Sequence, residues 1–249
     1  MKNYTPKTTP KQNLKSDARI GVRINKYLAH KGLATRTGVD KLIKSQKILI
    51  NGKIAVLGDK VLENDKVEVR GVHLKKNIYL AYNKPKGIVS TNPQGDEKGI
   101  MQNAKFPKGV FPVGRLDKES EGLIILTNDG RVTDRLLNPI YNHQKEYIVE
   151  LDRRFTPAFL RNMEMGVDIG DYKTKPAEVR KITDDVFRIV LTEGKNRQIR
   201  RMTEKLGYTV RELKRIRIQN VELGKVPLNS YREIVGEEQI KFLNSLGLK

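Results

Sequence analysis

The spacing of apolar residues predicts two helices near the N-terminus. In the first, the apolar residues recur three or four positions apart, which is the period of an α-helix: Ile24, Tyr27 and Leu28. Gly32 follows where a helix-ending glycine is expected. Thr37 precedes Asp40 by three residues and is predicted to cap a second helix. The buried side of this helix has the same period, at Val39, Leu42 and Ile43.

After these helices the pattern changes to that of β-strands. The apolar run 48–50 is followed by Asn51-Gly52, a pair that favours a two-residue hairpin turn. Val67 and Val69 then alternate with charged residues, and the pattern ends near Gly71. We therefore predict a small unit of helices and a hairpin over residues 21–71.

The remaining residues, 72–249, alternate predicted strands with predicted helices and indicate a second, α+β unit. The strand-like segments are 78–82, 123–126, 147–151 and 187–191. One helix is predicted to begin after Thr156-Pro157 and to end at Gly166. The inward positions of two later helices are Ile199, Met202 and Leu206, and Ile240, Leu243 and Leu246. A chain of 249 residues is long enough for two domains of these sizes.

Residues 1–20 differ from both units. They are polar and basic, contain Pro6 and Pro10, and show no apolar periodicity. Such a segment cannot bury enough apolar surface to offset the entropy lost on ordering. We predict a disordered basic tail.

The net charge indicates what kind of partner the protein binds, and the cysteine content indicates its cellular compartment. Lysine and arginine number 49 against 29 acidic residues, so the formal net charge is +20 and a polyanion is favoured as partner. The chain has no cysteine, which excludes disulfides, thiolate catalysis and cysteine metal sites and predicts a cytoplasmic protein. No apolar run in the sequence is long enough to span a membrane.

The sequence lacks the usual signals for a metal or a cofactor. The histidines His30, His73 and His143 show none of the short spacings of a zinc or iron site. Gly194-Lys195 lacks the earlier glycine and the following Ser or Thr of a nucleotide phosphate loop. No Gly-x-Gly-x-x-Gly turn opens a βαβ unit. We therefore predict no metal and no cofactor.

Four short stretches combine charged or aromatic residues with turn and strand signals. The most informative places Asp117 beside Arg115 in a glycine-bounded turn before an apolar run, which suits a carboxylate nucleophile. The four are Lys84-Pro85, Gly114-Arg115-Leu116-Asp117, Lys145-Glu146-Tyr147 and residues 193–202. In this order and spacing they resemble the pseudouridine synthases of the RsuA family, and the resemblance covers nearly the whole chain.

The stretch 23–70 resembles the S4 RNA-binding domain. The fold that these resemblances imply is α+β: a small S4-like αL domain, then a synthase domain with a mainly antiparallel mixed sheet flanked by helices. Segments 87–91 and 118–124 are most similar to the RluF type, which modifies 23S ribosomal RNA near the peptidyl-transferase region. A monomer that binds structured ribosomal RNA is implied. The chain lacks the long basic tail of that type, so a transfer-RNA substrate is not implied.

The resemblance also implies a reaction. Pseudouridine formation breaks the bond between uracil N1 and ribose C1′, turns the base and rejoins it through C5, so no atoms are gained or lost. The enzyme must first flip the uridine out of its helix or loop. By resemblance Asp117 is the carboxylate that acts on it. Two roles stay open: nucleophile at C1′, or base that promotes loss of uracil.

Other site residues are implied by matching positions of the family. Arg200 matches the arginine that pairs with the catalytic aspartate, and Tyr147 matches the tyrosine that stacks on the target uracil. Arg115 resembles the arginine that enters the space left by the flipped base. Leu191 is expected to form the apolar wall beneath the base. Lys84 is expected to support the turn or to contact a phosphate.

Further basic residues are expected to bind RNA. Segment 197–217 is rich in positive charge and contains few acids, so we expect its exposed side to follow RNA. Its members expected to contact the substrate are Arg197, Gln198 and Arg201. In the S4-like domain the expected RNA-binding residues are Arg23, Lys26, Arg36, Lys41 and Lys44.

Three alternatives share parts of this pattern. A 16S ribosomal RNA synthase of the RsuA type would use every catalytic residue named above. A non-catalytic S4-domain ribosome-assembly protein would use the same basic surface, but the set Asp117, Tyr147 and Arg200 disfavours it. An S4-linked methyltransferase would need a glycine-rich donor-binding turn, which the sequence lacks.

Overall fold

The computed structural model describes residues 21–31, 33–71 and 76–248. The chain divides into two compact units, one built mainly from residues up to 73 and the other mainly from residue 74 onward. The predicted basic tail and the predicted helix end at Gly32 lie outside the described residues. Each unit is described separately.

The N-terminal unit contains two helices and two small sheets. Its elements are β1 (Val22–Arg23), α1 (Ile24–His30), α2 (Arg36–Lys44), β2 (Ile48–Ile50), β3 (Lys53–Ile54), β4 (Lys60–Val61) and β5 (Val67–Val69). Strands β3, β2 and β5 form one antiparallel sheet, and β1 pairs with β4. Asn51 and Gly52 have φ angles of 51° and 80°, which confirms the predicted hairpin turn. Helix α2 begins at Arg36, so Thr37 lies inside the helix and the predicted cap position is wrong.

The larger unit is built on one sheet. The described strands are β6 (Tyr79–Lys84), β7 (Phe111–Val113), β8 (Glu121–Thr127), β9 (Lys145–Leu151), β10 (Glu178–Lys181), β11 (Val186–Leu191), β12 (Val210–Ile218), β13 (Val221–Glu222) and β14 (Tyr231–Glu233). Their order is β10-β11-β9-β12-β8-β6-β14, with β7 beside β8 and β13 beside β12. Among the described strands only β8 and β12 pair in parallel, so the predicted mainly antiparallel mixed sheet is confirmed.

Helices cover both faces of this sheet. They are α3 (Ile100–Asn103), α4 (Gly130–Leu137), α5 (Pro157–Met165), α6 (Gln198–Lys205) and α7 (Gly236–Ser245), with a 3-10 helix at Pro139–Tyr141. Apolar residues of α5 and α6 pack with Leu80 and Ile124 in one core. Those of α4 and α7 pack with Ala81 and Leu123 in a second core. Because neighbouring residues of β6 and β8 enter different cores, these strands are apolar on both faces.

The predicted helix ends are mostly confirmed, and of the three residues predicted to point inward from the last helix only Ile240 is wrong, because Leu243 and Leu246 pack in the second core. The Thr156 hydroxyl accepts a hydrogen bond from the Phe159 amide at 3.2 Å, and α5 ends at Gly166, whose φ is 86°. In α7, however, Ile240 is 60% exposed and Phe242 is buried. Two residues along a helix turn the side chain by roughly 200°, so these two residues lie on opposite sides of α7.

Gly122 makes the parallel contact of β8 and β12 possible. That pairing consists of two residue pairs, Glu121 with Lys214 and Gly122 with Arg215. Gly122 has a φ of 107°, and a Cβ atom there would lie 2.2 Å from the Arg215 carbonyl oxygen and 2.7 Å from its nitrogen. No side chain fits at this distance. Glycine at 122 therefore fixes how closely the two strands approach.

We expect Gly122→Ala to destabilise the protein more than Gly170→Ala. Gly170 is a matched control because its φ is 100° and a Cβ atom there would contact nothing within 4 Å. Both changes incur about 1–3 kcal/mol of backbone strain. Only Gly122→Ala also forces the strands apart, which adds at least about 1–3 kcal/mol. Urea denaturation measures both values, and equal losses of unfolding free energy would contradict this role.

Candidate active site

A cavity of about 270 Å³ opens beside the parallel pair of β8 and β12. Its wall is formed by the 113–117 segment, the ends of β9, β11 and β12, the end of α4, and the loop leading into α6. Six residues predicted for the site lie on this wall. They are Arg115, Asp117, Tyr147, Leu191, Arg197 and Gln198.

Asp117 lies in a turn that is held through its backbone. The Ser90 hydroxyl donates to the Leu116 carbonyl at 2.7 Å and accepts from the Leu116 amide at 2.9 Å. The Ser120 amide donates to the Asp117 carbonyl at 3.0 Å. The carboxylate itself is half-buried and makes no hydrogen bond or ion pair with a described residue. It therefore faces the cavity from a rigid support.

Lys84 supports this turn from below. Its side chain is fully buried, and Nζ donates to carbonyl oxygens of Pro85, Asp117 and Ser120 at 3.0, 3.1 and 2.8 Å. Burial lowers the pKa of Lys84 to about 8; Arg215 adds to this effect and Asp117 opposes it. The expectation of a phosphate contact is therefore wrong, because a buried ammonium held by carbonyls cannot reach RNA.

Arg200 is also a support, and its predicted ion pair with Asp117 is not formed. Its guanidinium is buried and donates to the carbonyls of Val210 and Glu119 at 3.2 and 3.3 Å and to the Ser120 hydroxyl at 3.5 Å. These bonds tie α6 to the residues that follow Asp117. The charge of Asp117 opposes the lowering of the Lys84 pKa and contributes to raising the pKa of Arg197.

The loop before α6 is organised by the buried carboxylate of Glu193. It accepts hydrogen bonds from the Gln198 side-chain amide at 2.7 Å, the Tyr172 hydroxyl at 2.5 Å and the Lys175 amide at 3.0 Å. The Gln198 side-chain oxygen accepts from the Lys195 amide at 3.0 Å. Gln198 thus shapes the cavity wall. The sequence analysis assigned it only to substrate contact.

Tyr147 belongs to a column of polar residues that the sequence analysis missed. His143 and Lys145 also line the cavity, four and two residues before Tyr147. Arg215, opposite Tyr147 on β12, has its guanidinium 6.0 Å from the Tyr147 ring centre. The available sequence signal was the placement of His143, Lys145 and Tyr147 at every second position, the last two within β9.

Burial and neighbouring positive charge lower the pKa of two of these polar residues, Lys145 and His143. Burial, together with the smaller effect of the Arg215 charge, lowers the pKa of Lys145 to about 8. Burial, followed by the charge of Lys145, lowers the pKa of His143. Near Tyr147, burial and neighbouring positive charge therefore disfavour the charged forms of both residues.

Most cations of segment 197–217 have acidic or carbonyl partners within the described residues. Arg201 lies off the cavity and donates to the Ile169 carbonyl at 2.8 Å and to the Asp171 carboxylate. Three of the four basic residues of β12 are paired with acids on neighbouring strands that a linear reading does not reveal; the fourth, Arg215, forms no ion pair with a described residue. These pairs are Arg211 with Glu150, Lys214 with Glu121 and Arg217 with Glu146.

The basic residues predicted for the N-terminal unit are all exposed. Arg23, Lys26 and Arg36 line one groove of that unit. None of the five predicted side chains forms an ion pair with another described residue: Arg23, Lys26, Arg36, Lys41 and Lys44. Unpaired surface cations are suited to contacts with phosphates.

Two features are absent from the described part of the chain. No cluster of three or more His, Cys, Asp or Glu side chains there could hold a metal ion. No helix in those residues is long and apolar enough to cross a membrane.

Known proteins similar to this chain share both of its units. The family profile described as RNA pseudouridylate synthase matches residues 78–205, and that of the S4 domain matches residues 22–67. The chain is 42% identical to the dual-specificity RNA pseudouridine synthase RluF of Escherichia coli (strain K12), covering 88% of this chain and 77% of that protein.

Two other similarities cover almost the whole length of the matched proteins. The ribosomal large subunit pseudouridine synthase B of Bacillus subtilis (strain 168) is 33% identical, over 90% of this chain and 96% of that protein. A crystal structure of a pseudouridylate synthase aligns with a TM-score of 0.67 and 27% identity, over 89% of this chain and 99% of that one.

We expect Lys84→Met to lower the free energy of unfolding by about 1–3 kcal/mol, because buried carbonyls lose their donor. The folded pKa of about 8 lies below the ordinary 10.5. Between these values the unfolded chain holds the proton and the folded chain does not, so wild-type stability gains with rising pH. The gap between wild type and variant should therefore widen from pH 7 to pH 10. Urea denaturation at both pH values measures the gap; Lys86→Met, an exposed neighbour, is the control.

Proposed function

Because the chain belongs to the RNA pseudouridylate synthase family, we propose that the cavity around Asp117 isomerises a specific uridine of 23S ribosomal RNA. The chain is an RNA pseudouridine synthase with an S4 RNA-binding domain. One observation carries the site: the cavity brings Arg115 and Asp117 of one segment together with Tyr147 of a distant strand. A free carboxylate, an aromatic ring and an exposed cation are what this reaction requires.

Asp117 is the group that acts on the ribose. Its carboxylate is free of hydrogen bonds among the described residues, so its oxygens are available either to attack C1′ or to accept a ribose proton. Lys84 and Arg197 are nearby cations on which its charge acts, and neither forms an ion pair with it. A carboxylate already bonded to a guanidinium would have to break that contact before reacting.

The flipped uracil is held between side chains of the sheet. Tyr147 supplies an aromatic face, and the buried Leu191, from the neighbouring strand β11, supplies an apolar wall. Arg115 is exposed at the cavity and is placed to fill the space that the base leaves in the RNA. Arg197, ion-paired with Glu119 at 3.0 Å, adds a cation beside the opening.

The 23S substrate is supported by the named relatives and by charge. One relative is a large-subunit synthase and the other is called dual-specificity. We assign residues 21–71 to RNA anchoring and 72–249 to catalysis, in a monomer acting in the cytoplasm. The exposed cations of the N-terminal unit and the net charge of +20 suit a structured RNA.

Wild-type protein should release tritium from 23S RNA labelled at uracil C5 and not from equally labelled 16S RNA. Asp117→Asn should slow single-turnover release by at least about 100-fold, because the amide keeps the shape but loses the reactive oxygen. RNA affinity should stay near that of wild type. Asp96→Asn, at an exposed position off the cavity, is the matched control. Turnover by pure Asp117→Asn protein would refute the site, and release from 16S RNA alone would refute the substrate.

Tyr147→Phe should bind RNA more tightly than Tyr147→Ala, since phenylalanine keeps the stacking surface. The expected difference in binding free energy is about 1–3 kcal/mol, the contribution of one stacked base. Filter binding at fixed salt measures it. Equal losses of affinity in the two variants would argue against a stacking role.

A further inference from the structure

Two cations on the cavity wall have no carboxylate partner. Arg215 is 4% exposed, and its guanidinium makes one hydrogen bond among the described residues, from Nε to the Leu123 carbonyl at 2.7 Å. Lys145 is half-buried, and its Nζ donates to the His143 carbonyl at 3.3 Å. Neither forms an ion pair with a described residue. Buried charges without partners are costly, so a group that develops negative charge is expected beside them.

Other cations of the site are already accounted for. Lys84 and Arg200 lie beneath the turn and are bonded to backbone oxygens. Arg197 is paired with Glu119. Of the carboxylates on the cavity wall, Glu193 is bonded within its loop, and Asp117 acts on Lys84 and Arg197. Lys145 and Arg215 are thus left for the substrate.

Both cations lie next to the face expected to hold the uracil. Arg215 is directly opposite Tyr147 on the neighbouring antiparallel strand, so the two side chains share one face of the sheet. Lys145 is two residues from Tyr147 on the same strand and therefore also shares that face. Burial and the nearby charge of Arg215 lower the pKa of Lys145.

We infer that Lys145 and Arg215 bind the uracil ring and stabilise the negative charge that it acquires as its bond to ribose breaks. This inference rests on the proposed function of the cavity. When the N1–C1′ bond breaks, its electron pair stays on uracil and the charge spreads over N1, O2 and O4. Fixed cations beside developing charge in a dry site lower the barrier.

The charge is then consumed within the same reaction. Uracil turns, and C5 bonds to C1′ as the ribose is released from the carboxylate or regains its proton. The C5 proton leaves and N1 takes up a proton, so the product is an isomer of the substrate. No oxidant, reductant or second substrate is required.

A phosphate is the competing anion, and burial argues against it. Arg115 and Lys195 are exposed at the cavity and can reach a phosphate that remains partly hydrated. Arg215 is almost fully covered and is beside the tyrosine ring, where a base lies flat. The two anions also predict different kinetics.

The test compares one RNA carrying uridine or 5-fluorouridine at the target position. Fluorine withdraws electrons and makes uracil a better leaving group. Lys145→Met should slow single-turnover loss of the N1–C1′ linkage by about 100-fold with uridine. The loss should be several-fold smaller with 5-fluorouridine, because that base needs less stabilisation. Lys145→Arg should recover most of the rate. Digestion of the RNA and quantification of the remaining nucleoside measures the linkage.

Equal rate losses with both RNAs would overturn the inference. A second result would also overturn it: Lys145→Met reacts at the normal rate at saturating RNA but binds RNA more weakly. If the slope of log binding constant against log salt concentration also shrinks by about one, Lys145 contacts a phosphate. Arg215→Lys, which keeps the charge but alters its position, is run in the same two-RNA comparison as a second variant. Asp117→Asn is measured in parallel. Activity of Asp117→Asn would refute the site itself. If Asp117→Asn is inactive but Lys145→Met loses the same rate with both RNAs, only this inference is refuted.

Discussion

The close approach of β8 and β12 at Gly122 is the constraint on which the site depends. Gly122 pairs with Lys84 on β6 and with Arg215 on β12. In this row of the sheet, a glycine without a side chain therefore lies between two cationic residues. The missing side chain lets the backbones meet. This close approach also places the buried ammonium of Lys84 beneath the Asp117 turn and the guanidinium of Arg215 beside Tyr147. A single strand contact thereby positions groups from three strands around one cavity.

The site separates support from chemistry. Lys84, Ser90 and Arg200 bond to backbone or hydroxyl groups of the turn and leave the Asp117 carboxylate unbonded. Glu193 does the same for the loop before α6. Charged residues thus serve as scaffolding, which keeps them away from the reacting group. The cavity retains one free carboxylate and a set of cations that outnumber it.

The sequence alone predicted local elements, such as helix caps, turns and strands, and missed the ion pairs that form between neighbouring strands. The helix after Thr156, the Asn51-Gly52 hairpin and the principal strands follow from caps, turn residues and alternation. The acids that neutralise β12 lie on β8 and β9 and cannot be seen in a linear reading. Burial likewise made Lys84 and Arg200 supports, because charge in a sequence does not reveal depth. The cavity roles of Asp117 and Tyr147 came from resemblance and stay predictions.

The hydrogen bonds that hold the Asp117 turn span long distances along the chain. The partners of residues 116–120 lie 26 residues away at Ser90, about 33–36 away at Lys84 and 80 or more away at Arg200. Contacts between residues distant in sequence form slowly, because closing large loops costs entropy before any contact rewards it. Folding of this domain must therefore bring strand β6 and helix α6 to the Asp117 turn before a competent carboxylate exists. A nascent or partly folded chain can expose basic surface to RNA while still chemically inert.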